Sequence, residues 1–111
     1  MRIQKLDRSK LKKSKNIAKM YYEFKNSVEA FENGFGERVT PEALLNYQLN
    51  KSYMEAIEDT FNHSINSSIR EMVWEYFFNN IKPKDYEEKQ IKNEIERWLY
   101  YLSKEIGIEI K

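Results

Sequence analysis

The sequence predicts an all-α protein, a compact domain of four helices. Apolar residues recur at helical spacing along most of the chain, and only the short tail 108–110 shows the alternation of a strand. The chain has only three glycines and two prolines, too few for a turn-rich all-β fold. Its 111 residues are 41% hydrophobic and 14% aromatic, which suits one domain with a packed core.

The first predicted helix runs from about Ser14 to Glu32. Asn33 and Gly34 follow it and favour a left-handed helix end. We expect a loop from Gly34 to Val39, which holds two of the three glycines. The apolar residues on one face of this helix are Ile17, Met20, Tyr21, Phe24, Val28 and Phe31.

The second predicted helix begins with a residue triplet typical of a helix N-terminus. Thr40 can cap the helix, Pro41 needs no backbone donor at the first position, and Glu42 favours the positive end of the helix dipole. We expect the helix to end near residues 62–64. Its apolar stripe is Leu45, Leu49, Tyr53, Ala56, Ile57 and Phe61.

The third predicted helix runs from Ser68 to about Phe78, and Ser68 and Glu71 have the spacing of a capping box. Asn79 and Asn80 then break the helical pattern. Five of its apolar residues point one way, whereas Trp74 and Phe78 point elsewhere. These five are Ile69, Met72, Val73, Tyr76 and Phe77.

The fourth predicted helix has Asp85 as its cap, with Glu88 completing a second capping box, and it continues to Ile106. Gly107 supplies a left-handed end. A short turn containing Pro83 joins the third and fourth helices, so this pair is a candidate helix-turn-helix. The apolar stripe of the fourth helix is Ile91, Ile95, Trp98, Leu99, Leu102 and Ile106.

Charge is distributed unevenly along the chain, although the formal net charge is only +1. Residues 1–25 contain nine basic and two acidic side chains, a charge of +7 against −6 for the rest. A basic terminal segment is typical of proteins that bind nucleic acid or another anionic partner. We therefore predict a basic N-terminal arm, residues 1–13, ahead of a single helical domain, residues 14–111.

Composition argues against several kinds of chemistry. The chain has no cysteine, which excludes a disulfide framework, zinc fingers and thiol catalysis. Its one histidine, His63, lies four residues after Asp59, and two such ligands are too few for a tight metal site. We expect no catalytic residues, no metal and no cofactor, hence no enzyme. No apolar run approaches the roughly 20 residues of a membrane span, so we expect a cytoplasmic protein with no membrane partner.

Two basic segments make double-stranded DNA a predicted partner. Lysine, asparagine and arginine are side chains that contact phosphates and base edges, and the last helix presents several of them. Glutamates on the same helix weaken its positive field, and the basic arm can supply the missing charge. The predicted DNA contacts are Lys10, Lys12, Lys13, Lys15, Lys89, Lys92, Asn93 and Arg97.

Large aromatic residues predict a protein interface. The third helix is apolar around most of its circumference, so it must be covered on more than one side. A four-helix domain has little room for all of these rings, which favours a homodimer through this helix; the alternative is that the helix lies at the centre of the monomer. The predicted interface residues are Trp74, Phe78, Trp98, Tyr100 and Tyr101.

Short segments between about residues 43 and 107 carry a family resemblance. They are Ala56-Ile57-Glu58, Asn62, Ser64, Arg70-Glu71, the run from Glu75 to Asn79, Ile91-Lys92, Ile95, Leu102 and Glu105-Ile106-Gly107. These segments are similar to the C-terminal half of the RinA/ArpU-type phage regulators. The resemblance implies a small helical activator of phage genes, working in a bacterial host, whose C-terminal region is similar to the helix-turn-helix of sigma-factor region 4.

The chain departs from this family between Phe78 and Gln90. The family pattern places an extra short helix there, whereas this chain has only about eleven residues, including Pro83. A protein that kept the shape of such a regulator could bind protein instead of DNA. The alternative hypothesis is therefore a phage-encoded inhibitor or adaptor that blocks a host complex, such as RNA polymerase or a CRISPR effector.

Overall fold

The computed structural model describes residues 8–34, 39–84 and 86–107, and within these ranges it contains five α-helices and no strand. The all-α prediction is confirmed. The helices are α1 (Arg8–Lys19), α2 (Tyr21–Asn33), α3 (Pro41–Ser64), α4 (Arg70–Asn79) and α5 (Glu88–Glu105). None of the helices in the described ranges has the length and apolar character to span a bilayer.

The predicted first helix is two helices, so the prediction of four helices is wrong. α1 ends at Lys19 and α2 begins at Tyr21, with Met20 between them. The Met20 N–H donates to the Ile17 carbonyl, three residues back, at 3.0 Å, which tightens the turn. α1 then packs mainly on α5, whereas α2 packs on α3. Because neither glycine nor proline stands at the break, tertiary packing is its cause.

Helix α1 also begins earlier than predicted, at Arg8 and not at Ser14. Residues 8–13, which the charge pattern places in the basic arm, are the first turns of this helix, and residues 1–7 lie outside the described part of the chain. Leu11 is partly buried against the core. The lysines around Leu11 give the segment the composition of a solvated arm, although its one apolar residue, Leu11, packs against the core.

The contact between α1 and α5 is close because small residues lie in it. Ser14 and Ser103 are both fully buried. The Ser14 hydroxyl donates to the Leu99 carbonyl of α5 at 2.6 Å, and the Ser103 hydroxyl donates to the Tyr100 carbonyl at 2.6 Å. Each buried hydroxyl therefore has a hydrogen-bond acceptor, as a polar group without water requires.

Of the predicted helix starts at Ser14, Thr40 and Ser68, only that at Thr40, the start of α3, forms as expected. The Ala43 N–H donates to Thr40 Oγ1 at 3.0 Å, with Pro41 at the first helical position. The predicted Ser68 capping box is wrong: α4 begins two residues later, and Ser68 donates its N–H and its hydroxyl to Asn66 Oδ1, both at 3.0 Å. The predicted cap Asp85 lies outside the described residues, and the side chain of Glu87, the residue before α5, makes no capping hydrogen bond.

Two of the helix ends are left-handed. Gly107 has a φ of 73°, as predicted, and Asn80 closes α4 with a φ of 57°. The N–H groups of Asn80 and Ile81 donate back to the α4 carbonyls of Tyr76 and Glu75 at 3.2 and 3.3 Å. Gly34, in contrast, has a φ of −88°, so the left-handed end predicted for the first helix is wrong.

The hydrophobic core lies where α5 meets α1, α3 and α4. Trp98 of α5 is fully buried at its centre, with its ring centroid 5.0 Å from that of Phe61 on α3 and 4.9 Å from that of Phe77 on α4. The Trp98 indole N–H donates to Thr60 Oγ1 at 3.1 Å. One residue of α5 thus joins two other helices.

Helices α2 and α3 form an antiparallel hairpin. Phe24 stacks on Tyr53 at 5.3 Å, and farther along the pair Phe31 stacks on Tyr47 at 4.3 Å. Beyond these rings the outer face of α3 is uncovered. Leu45 is 64% exposed and Leu49 is 50% exposed, so their prediction as part of a buried stripe is wrong.

Candidate nucleic-acid interface

Four lysines from two helices line one surface cleft of about 540 Å³. The cleft lies between α1, the C-terminal end of α4 and the N-terminal half of α5, and among the described residues Glu96 contributes the only carboxylate to its lining. Its floor is apolar, with Phe77, Ile95 and Leu99. The lysines are Lys12, Lys15, Lys19 and Lys92. This arrangement gives the cleft an excess of positive charge.

Lys19 is fixed at the α4 end of the cleft. Its ammonium group donates to the Phe77 carbonyl, one of the last carbonyls of α4, and lies 4.0 Å from the centroid of the Phe77 ring. Burial, together with the positive charge of Lys15, lowers the pKa of Lys19 from its usual value of 10.5. A cation at the negative end of the α4 dipole is favourable. Lys19 therefore stabilises the C-terminal end of α4 and also contributes positive charge to the cleft.

At the α5 end, Lys92 belongs to a short chain of polar contacts. Its ammonium group lies 3.7 Å from a carboxylate oxygen of Glu88, which accepts a hydrogen bond of 2.6 Å from the Tyr76 hydroxyl. The Tyr76 hydrogen bond, followed by the charge of Lys92, lowers the pKa of Glu88, and the same hydrogen bond raises the pKa of Tyr76. Because the Lys92–Glu88 pair is exposed, it is weak, and a phosphate can compete for the lysine.

The structure brings together part of the predicted DNA-contact set. Lys12 and Lys15 lie in the cleft with Lys92, and the other exposed members are Lys13 on α1 and Lys89 on α5. Asn93 is exposed but lines a different cleft, beside Asn66 and Ser68. The side chain of Lys10 lies outside the described part of the structure. Lys19 and Tyr76 were not predicted, because their place in the cleft depends on where α4 ends.

Arg97, another predicted DNA contact, makes polar contacts within the protein. Its guanidinium group donates to the Ser64 carbonyl at 2.8 Å and also pairs with Glu94. Arg70 donates in the same way to the Ile65 carbonyl at 2.9 Å. Both arginines therefore cap the C-terminal end of α3, where carbonyl groups lack helical donors.

Trp98 corrects the predicted protein interface. It has no exposed surface, because it lies on the α5 stripe that faces the core. Tyr100 is half-buried and Tyr101 is 37% exposed, with ring centroids 5.7 Å apart. Of the predicted interface residues, only Tyr101 is exposed.

Trp74 and Phe78 are half-buried in an aromatic cluster that joins α4 to α2. The Trp74 ring lies 5.0 Å from that of Phe61 and 4.4 Å from that of Phe78. The Trp74 indole N–H donates to the Tyr22 hydroxyl at 2.7 Å. The surplus of aromatic rings is therefore largely absorbed within one protomer, and Tyr22, on the rim, stays 44% exposed.

His63 lies at the C-terminal end of α3. Its Nδ1 is 2.7 Å from the Asp59 backbone carbonyl, and Nδ1 is the donor in this contact because a carbonyl only accepts. The ring lines a separate cleft of about 770 Å³ that includes Asp59, Arg97 and Glu105. In the described ranges no three histidine, cysteine or carboxylate side chains are grouped so that they could hold a metal ion.

No family model, curated protein or solved structure matches this chain. The resemblance to the RinA/ArpU-type regulators therefore stays a prediction.

Proposed function

We propose that the protein is a small DNA-binding regulator and that it contacts DNA through the lysine-lined cleft between α1 and α5. The observation that carries this proposal is that lysines far apart in the sequence, on α1 and on α5, share that cleft. Affinity for nucleic acid comes largely from neutralised phosphates. A concave surface whose described lining includes four lysines and one glutamate suits that role.

The proposal rests on the cleft and not on a helix-turn-helix. Residues 80–87 separate α4 from α5, which makes the connection longer than the turn of about three or four residues in that motif. Lys89, Lys92 and Asn93 are exposed within one turn of α5. In this proposal α5 lies along the DNA beside α1. The protein then regulates a gene by occupying a DNA site.

Binding to a labelled DNA fragment at several salt concentrations tests the proposal, with fluorescence anisotropy as the measurement. Each phosphate contact adds about 0.9 to the slope of log affinity against log salt for duplex DNA. We expect Lys15→Gln to lower the affinity several-fold and the slope by about 1. The triple variant K12Q/K15Q/K92Q should lose most of the binding.

Lys25→Gln is the matched control. It removes the same charge from α2, which contributes no residue to the cleft. If K25Q weakens binding as much as K15Q, only the net charge matters and the assignment of the cleft is wrong. If the unmodified protein binds no DNA even at low salt, the proposed function itself is wrong.

A second candidate function, a protein contact, is supported by a different surface. Leu44, Leu45 and Leu49 are exposed at the end of the α2–α3 hairpin, and clustered apolar side chains are typical of interfaces. We propose a second copy of the chain as the occupant, in place of the dimer predicted through the aromatic third helix. Light scattering tests it: we expect a dimer mass that falls to the monomer mass in L45S/L49S, and a monomer mass for the unmodified protein would refute it.

A further inference from the structure

We propose that the DNA in the cleft carries an unpaired stretch, and that the exposed ring of Tyr22 stacks on one of its bases. This inference rests on the proposed function and names its substrate class. The observation behind it is that the lysines of α1 lead to an exposed aromatic side chain at the junction of α1 and α2. Alternating lysine and aromatic contacts are the pattern by which proteins hold single strands.

The lysines form a row along α1. Lys12, Lys15 and Lys19 are three and four residues apart, which places them on the same face of the helix. At a rise of 1.5 Å per residue, the row is about 10 Å long. A stacked strand advances about 3.4 Å per nucleotide, so the row spans roughly three phosphates.

Aromatic rings continue this row past Lys19. The Lys19 ammonium lies 5.8 Å from the centroid of the Phe78 ring, and that centroid lies 5.2 Å from the centroid of Tyr22. The Trp74 indole N–H holds the Tyr22 hydroxyl at 2.7 Å, which limits rotation of the ring. Tyr22 is thus a fixed, partly exposed ring at the end of a phosphate-binding row.

An unpaired base is the group that such a ring can recognise. In a duplex, bases are stacked on their neighbours and present only their edges in the grooves, so a tyrosine beside the backbone has no base face to contact. In a single strand, the bases can turn outward and stack on aromatic side chains. A fixed Tyr22 ring saves part of the cost of ordering the contact.

The experiment compares a labelled oligothymidine strand of roughly 12 nucleotides, within the range of single-strand site sizes, with the duplex of the same sequence. We expect the strand to bind more tightly than the duplex. Tyr22→Leu keeps apolar volume against Trp74 and Phe78 but removes the ring, and we expect it to weaken strand binding about tenfold. Tyr22→Phe keeps the ring but removes the hydroxyl that accepts from Trp74, so it should weaken strand binding much less than Tyr22→Leu.

Tyr101→Leu is the matched control, because it removes an exposed tyrosine on α5 that lines the cleft with Asp59 and His63 and not the lysine-lined cleft. It should leave strand binding unchanged. Equal affinity for strand and duplex, with Y22L binding like the unmodified protein, overturns the inference and leaves the proposed function intact. Absence of binding to both ligands at low salt is the separate outcome that overturns the proposed function.

Discussion

Replacing Ser14 by leucine tests whether α1 is docked on α5, on which the whole lysine-lined cleft depends. Ser14 is fully buried, and its hydroxyl lies 2.6 Å from the Leu99 carbonyl. A leucine has no space there, and overpacking a buried site costs about 1–3 kcal/mol. At about 4–8 °C per kcal/mol for a domain near this size, the midpoint of thermal unfolding should fall by several degrees or more.

Two further variants separate overpacking from other effects. Ser14→Ala removes only the hydroxyl, and because the Leu99 carbonyl keeps its helical donor, the loss should be about 1 kcal/mol. Asn16→Leu adds the same side chain at an exposed position of α1 and should stay within about 0.5 kcal/mol of the unmodified protein. Urea unfolding followed by circular dichroism measures all three variants.

The Ser14 variants also bear on DNA binding. If Ser14→Leu forces α1 away from α5, Lys12 and Lys15 no longer face Lys92, so DNA affinity should fall although no lysine is changed. Unchanged stability in Ser14→Leu would refute the docked position of α1. Displacement of α1 from α5 with full DNA affinity would refute the idea that the cleft, as a single surface, binds the ligand.

Three other predictions concern the core and its polar contacts. Arg97→Ala should lower the free energy of unfolding by about 1 kcal/mol in urea titrations, since it uncovers the Ser64 carbonyl, but should leave DNA affinity nearly unchanged in anisotropy measurements. Trp98→Ala should cost about 3–5 kcal/mol in the same titrations, because the ring is fully buried. Burial, together with a hydrogen bond to Glu58, raises the pKa of Tyr21, so the contribution of Tyr21 to stability should be fully present below pH 10.0, the ordinary pKa of tyrosine, and fall as the pH rises above it; Tyr21→Phe should show a smaller fall in pH-dependent melts.

Local signals in the sequence were sufficient for features that depend on a few neighbouring residues. The Thr40 cap and the left-handed Gly107 are set by side-chain chemistry and backbone sterics within one turn. The break at Met20 could not be predicted in this way. It has no local signal, and it forms because two halves of an apolar stripe pack on different helices.

In the candidate site, too, some residues can be found from local sequence, whereas the roles of others depend on the fold. The lysine-rich composition of α1 and α5 is enough to predict Lys12, Lys15 and Lys92 as candidate contacts, because an exposed lysine needs no partner within the protein. The same reasoning predicts Arg97 as a contact. The fold, however, places the C-terminal end of α3 near Arg97, and the guanidinium group donates to the Ser64 carbonyl there. Tyr76 lines the cleft because of the position of α4 relative to α5, and the spacing of apolar residues in the sequence does not predict that position.

The apolar stripe of α3 has helical spacing, but its residues do not all lie on the buried face of the helix. Five of its six residues are spaced by four, and at 3.6 residues per turn each step rotates the row by about 40°, so four steps from Leu45 to Phe61 rotate it by about 160°. Accordingly Leu49 is 50% exposed, whereas Ile57 is fully buried. We therefore expect Ile57→Ala to cost about 2–5 kcal/mol and Leu49→Ala less than about 0.5 kcal/mol in urea unfolding at low protein concentration. A large loss for Leu49→Ala that grows with protein concentration would show that this side chain is buried between two copies, since a dimer adds its binding free energy to the apparent stability.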